Sequence, residues 1–155
     1  DRPPLAIAPF DAGQAKKHQE ACAKHLGVPV EWTNSIGMKF RLIPPGEFMM
    51  GSPDSEKAEA ENPTDEQQHP VQLTKPCYLA VYETTQEQYE KVAGGNPSFF
   101  AATGKGKEAV AGRDTKRLPV DSVSWDEAVA CCEKLSRVAG ERGTSRSYRL
   151  PQAIA

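Results

Sequence analysis

The sequence predicts an irregular α+β domain with short hairpins, two capped helices and long loops. Three observations predict it: strand-like runs broken by turn residues at positions 38–51, capping boxes that open two helices in the second half, and polar stretches at residues 53–69 and 103–117. A chain of 155 residues is long enough for one domain with a modest core. We divide it into a linker or docking helix, residues 1–30, and a main domain, residues 31–155.

The N-terminal helix is predicted from about Ala12 to Leu26. Asp11 is suited to be the N-cap and Gln14 the N3 residue of a capping box, while Gly27 and Pro29 stop the helix. Its apolar stripe is thin, so burial alone stabilises it little and we expect it to pack on a larger body.

Short strands follow this helix. Met38–Ile43 alternates in part, Pro44-Pro45-Gly46 turns the chain, and Glu47–Gly51 returns, which together predict a β-hairpin. Val71–Leu73 alternates like a half-buried strand, and the more continuous apolar run Tyr78–Tyr82 suits a central strand.

Two capping boxes predict the helices of the main domain. The box Thr84–Glu87 opens a short helix whose inward side is Gln88 or Tyr89, then Val92, and Gly94-Gly95 ends it. The box Ser124–Glu127 opens a helix with the clearest amphipathic pattern in the chain. Its apolar stripe consists of Trp125, Ala128, Val129, Cys132 and Leu135.

Loops and turns connect these elements. Residues 96–100 form a turn with two aromatic side chains that need cover, residues 118–120 are a short extended piece, and residues 137–146 are expected to be a mobile connector. The acidic loop at residues 53–69 has carboxylates that could hold calcium, but it lacks the D-x-[DN]-x-[DN]-G spacing, which favours a solvated loop. The loop at residues 103–117 is basic and contains no aromatic residue, which disfavours a base-stacking surface.

Charge and hydropathy exclude several partner classes. The net charge of −2 gives no field that would attract nucleic acid or a membrane surface. No apolar run approaches the roughly 20 residues that cross a bilayer, and the N-terminus has no signal-peptide layout. These observations assign no compartment.

The four cysteines, Cys22, Cys77, Cys131 and Cys132, have no C-x-x-C spacing, and small buried thiols are the favoured interpretation. Neighbours on a helix point about 100° apart, so Cys131 and Cys132 cannot both face one partner. The histidines are the other candidate ligands: His18 and His25 share a helix face and His69 ends the acidic loop, and polar surface roles are favoured for all three.

The order of several short motifs is more specific than any one of them. They are Asn34–Met38, Ile43–Ser52, Tyr78–Tyr89, Asn96–Phe100, Leu118–Val120, Val123–Ala128 and Tyr148–Pro151. In this order they resemble the sulfatase-modifying-factor domain, the family of the formylglycine-generating enzymes. The resemblance covers roughly residues 34–151, about three quarters of the chain.

The resemblance implies an irregular α+β fold related to the C-type lectins. It also implies the family activity, which is oxidation of a cysteine in a client sulfatase to formylglycine with molecular oxygen and copper(I). In the complete family domain a late pair of cysteines holds the copper, and calcium sites also lie late. Other members form carbon–sulfur bonds at non-haem iron or serve as binding modules without known catalysis.

The chain departs from the family pattern after Pro151. The family continues T-E-A-E-W-E-Y-A, whereas this chain continues Gln152-Ala153-Ile154-Ala155 and ends. We therefore expect the N-terminal portion of a truncated domain, without the copper-binding cysteines and inactive by itself, and assign no catalytic, cofactor-binding or metal-binding residue. By the same resemblance Cys132 is a core residue or one half of a disulfide, and Cys77 stands where an aromatic packs.

Three hypotheses follow: an inactive part of a formylglycine-generating oxidase, a lectin-like binding module that uses loops 53–69 and 103–117, or a docking segment of a larger protein. The expected partners are a protein or peptide client, the missing half of the domain, or other domains of a longer chain. If a half is missing, apolar side chains that it would cover should be exposed. The candidates are Phe48, Tyr78, Leu79, Tyr82, Phe99, Phe100, Trp125, Val129 and Leu135.

Overall fold

A computed structural model of the chain describes residues 3–53, 67–138 and 147–151. The acidic stretch at 54–66, the connector at 139–146 and the final residues 152–155 lie outside the described residues. The elements, in chain order, are β1 (Ala6–Ile7), α1 (Ala12–Leu26), β2 (Glu31–Thr33), β3 (Lys39–Ile43), β4 (Gly46–Met50), β5 (His69–Leu73), β6 (Cys77–Ala80), α2 (Gln86–Ala93) and α3 (Trp125–Ser136). This mixture of short helices and small sheets confirms the predicted α+β class.

The strands form two three-stranded sheets, with orders β1-β4-β5 and β2-β3-β6. The predicted hairpin of β3 with β4 is therefore wrong. Gly46 is not a turn residue but the first residue of β4, which runs parallel to β1 and antiparallel to β5. Because Pro44 and Pro45 carry no N–H, they cannot donate in a hairpin ladder between β3 and β4.

The chain divides into two compact units. The first comprises residues 1–31, 41–79 and 152–155, and the second comprises residues 32–40 and 80–151. In the first unit, α1 packs Cys22 and Ala23 against Leu42, the centre of its core. The partly buried Val28, Val30 and Tyr78 surround this cluster.

The bounds predicted for α1 are confirmed. Gln14 N–H donates to Asp11 Oδ1 at 2.7 Å and Asp11 N–H donates to Gln14 Oε1 at 3.2 Å, which completes the capping box. At the other end Gly27 has a φ of 65°, the left-handed C-cap that glycine adopts without strain.

In the second unit, α2 begins one residue later than predicted. Thr85, not Thr84, is the N-cap, and its partner at N3 is Gln88 rather than Glu87. Tyr89 lies on the buried side, as predicted, but Gln86 is the other buried residue of the helix, while Gln88 turns back to its cap.

The helix α3 packs against α2 and has the predicted capping box between Ser124 and Glu127. Of its predicted stripe, Leu135 is buried and Ala128, Val129 and Cys132 are half-buried. Trp125 is 62% exposed because it stands in the first turn, where the described residues give it no cover. None of the described helices is long and apolar enough to span a bilayer.

Most of the apolar side chains predicted to be uncovered are exposed. Phe48, Leu79, Tyr82, Phe99, Phe100 and Trp125 are exposed. The prediction is wrong for Leu135, which α3 buries, and for the half-buried Tyr78 and Val129. Tyr78 packs on the first unit's core, which explains its cover.

Candidate functional site

A cleft of about 600 Å³ lies within the second unit. Its polar and charged lining comes from three separate stretches of the chain, near residues 37–39, 82–88 and 117–119. The side chains that matter most are Lys39, Tyr82, Glu83, Thr85, Gln88 and Arg117.

A tight turn before β3 forms the first wall of this cleft. Asn34 Oδ1 accepts hydrogen bonds from the backbone N–H groups of Ile36, at 3.1 Å, and Met38, at 2.8 Å. Gly37, which lies between these two residues, has a φ of 82°, a conformation that favours glycine. The turn thereby fixes the point at which Lys39 enters the strand.

Backbone hydrogen bonds place the other two walls. Val81 N–H donates to Lys39 O at 2.9 Å, so Tyr82 and Glu83 follow beside the start of β3. Thr85 pairs with Pro119 in an isolated antiparallel bridge, which brings the stretch after Arg117 to the N-terminal end of α2. The extended piece predicted at residues 118–120 is confirmed by this bridge.

The cleft has an excess of positive charge. Lys39 and Arg117 are exposed, and neither forms an ion pair with any part of the chain that the structure describes. Glu83 is the acidic residue among those that line the cleft. The arrangement can therefore hold a negatively charged group without first breaking an internal ion pair.

A second feature is the aromatic loop, residues 96–100. The buried Gln86, which is 1% exposed, holds this loop by hydrogen bonds. Its Nε2 donates to Phe100 O at 3.3 Å and to Pro119 O at 3.5 Å. Gln86 Oε1 accepts from Asn96 Nδ2 at 2.9 Å. Phe99 and Phe100 lie at the surface, where their rings form an edge-to-face pair with centroids 4.9 Å apart.

Asp121 supports the same loop from the side. Its carboxylate accepts hydrogen bonds from the backbone N–H of Phe99, at 2.7 Å, and of Phe100, at 3.3 Å, while its own N–H donates to Ser98 Oγ at 3.2 Å. Desolvation works against ionisation, but the hydrogen bonds from Ser122, Phe99 and Phe100 outweigh it and lower the pKa of Asp121.

This lowered pKa predicts that Asp121 stabilises the fold in a pH-dependent way. A depressed pKa in the folded state adds stability that is present above the unfolded-state pKa, about 3.9, and is lost as the pH falls through the folded-state value. We expect Asp121→Asn to lower the melting temperature at pH 7, and the gap from the unchanged protein to shrink below about pH 4. Thermal melts of both proteins across this range measure the gap.

Asp114→Asn is the matched control, since Asp114 makes no side-chain cap and the change in charge is the same. A gap that stays constant down to pH 3, or an equal effect of Asp114→Asn, contradicts the prediction.

The cysteines lie in different surroundings. Cys22 is buried and Cys131 and Cys132 are half-buried, in keeping with small packed thiols. Cys77 is exposed, so the expectation that it packs in an aromatic's place is wrong. It is the first residue of β6, where the half-buried side of the short strand starts with Tyr78.

The histidines and the loops provide no metal cluster within the described residues, where no group of three His, Cys, Asp or Glu side chains converges. His18 packs its ring on Phe10, with centroids 5.4 Å apart, and His69 Nδ1 lies 3.0 Å from Gln67 O. The acidic stretch considered for calcium falls on residues 54–66, outside the described part. The basic loop at 103–117 contains two short 3₁₀ turns and borders a smaller cavity of about 340 Å³.

Sequence reasoning missed Gln86 and Asp121 and the joining of three distant stretches into one cleft. A local signal existed for the aromatic loop, because Asn-Pro-Ser after a glycine pair is typical of a turn held by the asparagine side chain. Ser98 N–H does donate to Asn96 Oδ1, at 3.1 Å. No local pattern marks Asp121 as a support of this loop, because the backbone N–H groups of Phe99 and Phe100 that it accepts from are more than twenty residues away.

Comparison with known proteins agrees with this architecture. The sulfatase-modifying factor enzyme 1-like domain matches residues 31–154. Among solved structures, Treponema denticola variable protein 1 is similar, with 28% sequence identity and a TM-score of 0.54. That alignment covers 71% of this chain and 36% of the Treponema protein, so the chain corresponds to about a third of that protein's length. No curated protein matches the chain significantly. Since the family match extends over most of the sequence, the chain belongs to the sulfatase-modifying factor enzyme 1-like domain family.

Proposed function

We propose that this chain is a non-catalytic binding part of a sulfatase-modifying-factor-type domain and that its own cysteines do not carry the oxidation of a sulfatase cysteine. The observation that carries the proposal is the arrangement of Cys131 and Cys132. The cleft in the second unit supports the binding role, because one concave surface offers an exposed aromatic and two cations that have no ion-pair partner among the described residues.

The cysteines do not fit a copper(I) pair. Copper(I) favours thiolates that approach from opposite sides, whereas Cys131 and Cys132 are neighbours on α3 and diverge by about 100°. Cys22 is buried in the core of the first unit and Cys77 is exposed at the start of β6. None of these arrangements offers two converging sulfur atoms.

The pKa shifts of these thiols also argue against a copper(I) site. Burial raises the pKa of Cys132, and burial followed by the neighbouring Cys132 raises the pKa of Cys131 despite the opposing effect of Lys134. The thiolate is the form that binds metal, so a raised pKa lowers the fraction able to do so at neutral pH. The two residues are better suited to packing between α3 and its surroundings.

We expect the purified chain to take up no copper(I) in competition with a strong chelator. The measurement is an anaerobic titration against bathocuproine disulfonate, followed by mass spectrometry of a cysteine-containing sulfatase peptide incubated with oxygen. The expected result is less than one tenth of an equivalent of protein-bound copper and an unmodified peptide.

Cys131→Ser/Cys132→Ser and Cys77→Ser are the matched variants. Uptake of one equivalent that the double variant abolishes and Cys77→Ser leaves intact would refute the proposal. Conversion of the peptide cysteine to an aldehyde would refute it independently of the copper measurement.

A further inference from the structure

The cleft of the second unit has the chemistry of a peptide-binding site. Its volume of about 600 Å³ lies within the range of roughly 300–1,000 Å³ that ligand sites occupy. It combines two cations, one carboxylate and one aromatic residue. Tyr82 is the aromatic, and at 69% exposed it is the most uncovered of the large apolar side chains in the described part of the chain.

The two cations of the cleft are available for recognition. Lys39 and Arg117 line the cleft, are exposed and have no ion-pair partner in the described part of the chain. By contrast, two other exposed basic residues are paired, Arg41 with Glu31 and Lys91 with Glu87. An arginine and a lysine kept free in one concave surface favour a ligand that carries carboxylates.

The remaining polar side chains of the cleft already form hydrogen bonds with the chain itself. Thr85 Oγ accepts a hydrogen bond from Gln88 N–H at 3.3 Å, and Gln88 Oε1 accepts one from Thr85 N–H at 3.0 Å. These bonds form the capping box of α2 and would have to break before either side chain could bind a ligand. The side chains that would select the ligand are therefore Lys39, Tyr82, Glu83 and Arg117.

Glu83 favours a peptide over a ligand in which every unit is negatively charged. A carboxylate beside two cations repels a sulfated sugar chain, in which every unit is negative. The same carboxylate accepts hydrogen bonds from peptide N–H groups, and Tyr82 offers a rigid face to the side chains between them. We propose that this cleft binds a short acidic segment of another polypeptide, with Lys39 and Arg117 on its carboxylates and Glu83 on its backbone.

The test is fluorescence anisotropy with the full chain. The probe is a labelled peptide of about ten residues in which glutamate and serine alternate, and the control probe has glutamine in place of each glutamate. We expect the acidic probe to bind and the glutamine probe to bind at least about tenfold more weakly, since charge-assisted hydrogen bonds supply the affinity.

Two pairs of variants locate the site. Lys39→Gln/Arg117→Gln is expected to weaken binding about tenfold, whereas Lys105→Gln/Arg149→Gln, which changes the net charge equally outside the cleft, is expected to change it less than about twofold. Tyr82→Ser is expected to weaken binding, and Trp125→Ser, which removes another exposed aromatic, is not. Circular dichroism checks that each variant keeps the fold.

Equal weakening by both charge pairs would mean attraction to the whole surface and would overturn the proposal, as would equal binding of the two probes. Dextran sulfate tests the other class of ligand. The concentrations of dextran sulfate and of the unlabelled acidic peptide are compared per negative charge. If dextran sulfate displaces the probe at the lower concentration, and only when Lys39 and Arg117 are intact, the ligand is a sulfated glycan. The proposal is then wrong. The inference rests on the binding role in the proposed function and names its ligand. The two tests can fail separately, because copper uptake by the cysteines would refute the non-catalytic part of that function and leave the peptide measurement unaffected.

Discussion

Replacing Leu42 by alanine is expected to lower the free energy of unfolding by about 2–5 kcal/mol. Leu42 is 2% exposed and stands at the centre of the cluster that α1 covers with Cys22 and Ala23. The substitution loses the transfer free energy of the isopropyl group and leaves a cavity that the surrounding strands and helix cannot fully close. Urea denaturation followed by circular dichroism measures the difference.

Leu26→Ala is the matched control for this experiment. The substitution removes the same atoms, but Leu26 is 44% exposed at the end of α1. We expect a smaller loss of stability than for Leu42→Ala, because folding removes less of the Leu26 side chain from water. Similar losses for the two variants would show that α1 and Leu42 do not form a core in solution.

Replacing Gly104 by alanine is expected to lower the free energy of unfolding by about 1–3 kcal/mol. A Cβ atom at this position would lie 2.3 Å from Phe99 O and 2.6 Å from Ser98 O. Both are backbone atoms of the aromatic loop, which Gln86 and Asp121 hold in place, so the strain cannot be relieved by a side-chain rotation. For a chain of this length the loss corresponds to about 2–4 °C in melting temperature per kcal/mol.

Gly95→Ala provides the comparison, since a Cβ atom there has no heavy atom within 4 Å and the backbone is not left-handed. Alanine at such a position restricts the unfolded chain, so we expect no loss or a small gain in stability. Near-ultraviolet circular dichroism should also change in Gly104→Ala, because the Phe99 and Phe100 rings share the displaced backbone. Equal melting temperatures of the two variants would contradict the close packing of this loop.

The helices show how much of the fold local sequence can predict. A capping box involves residues three positions apart, so its hydrogen bonds form within one turn and need no distant partner. This is why α1 and α3 begin where the sequence indicates. The sequence alone did not decide α2, because Thr84 and Thr85 both offer a hydroxyl and Glu87 and Gln88 both offer an N3 partner. Val120 N–H, which donates to Thr84 O at 2.9 Å, joins Thr84 to the extended piece, and Thr85 serves as the cap.

The sheets show where local prediction fails. Alternation along residues 38–51 correctly indicates strands, but it does not say which strand pairs with which. Gly46 approaches Ala6 so closely that a Cβ atom there would lie 2.2 Å from Ala6 O, and this contact joins segments forty residues apart. The pairing of β4 with β1 and β5, instead of β3, depends on such distant neighbours.

By itself, then, the sequence determined the family, the α+β class and the capped starts of α1 and α3, because these depend on motif order and on hydrogen bonds between near neighbours. Only the tertiary structure decided the strand partners, the burial of Gln86 and the joining of Lys39, Tyr82 and Arg117 around one cleft. Contacts of this kind form between residues far apart in the chain, and no spacing within a local pattern encodes them.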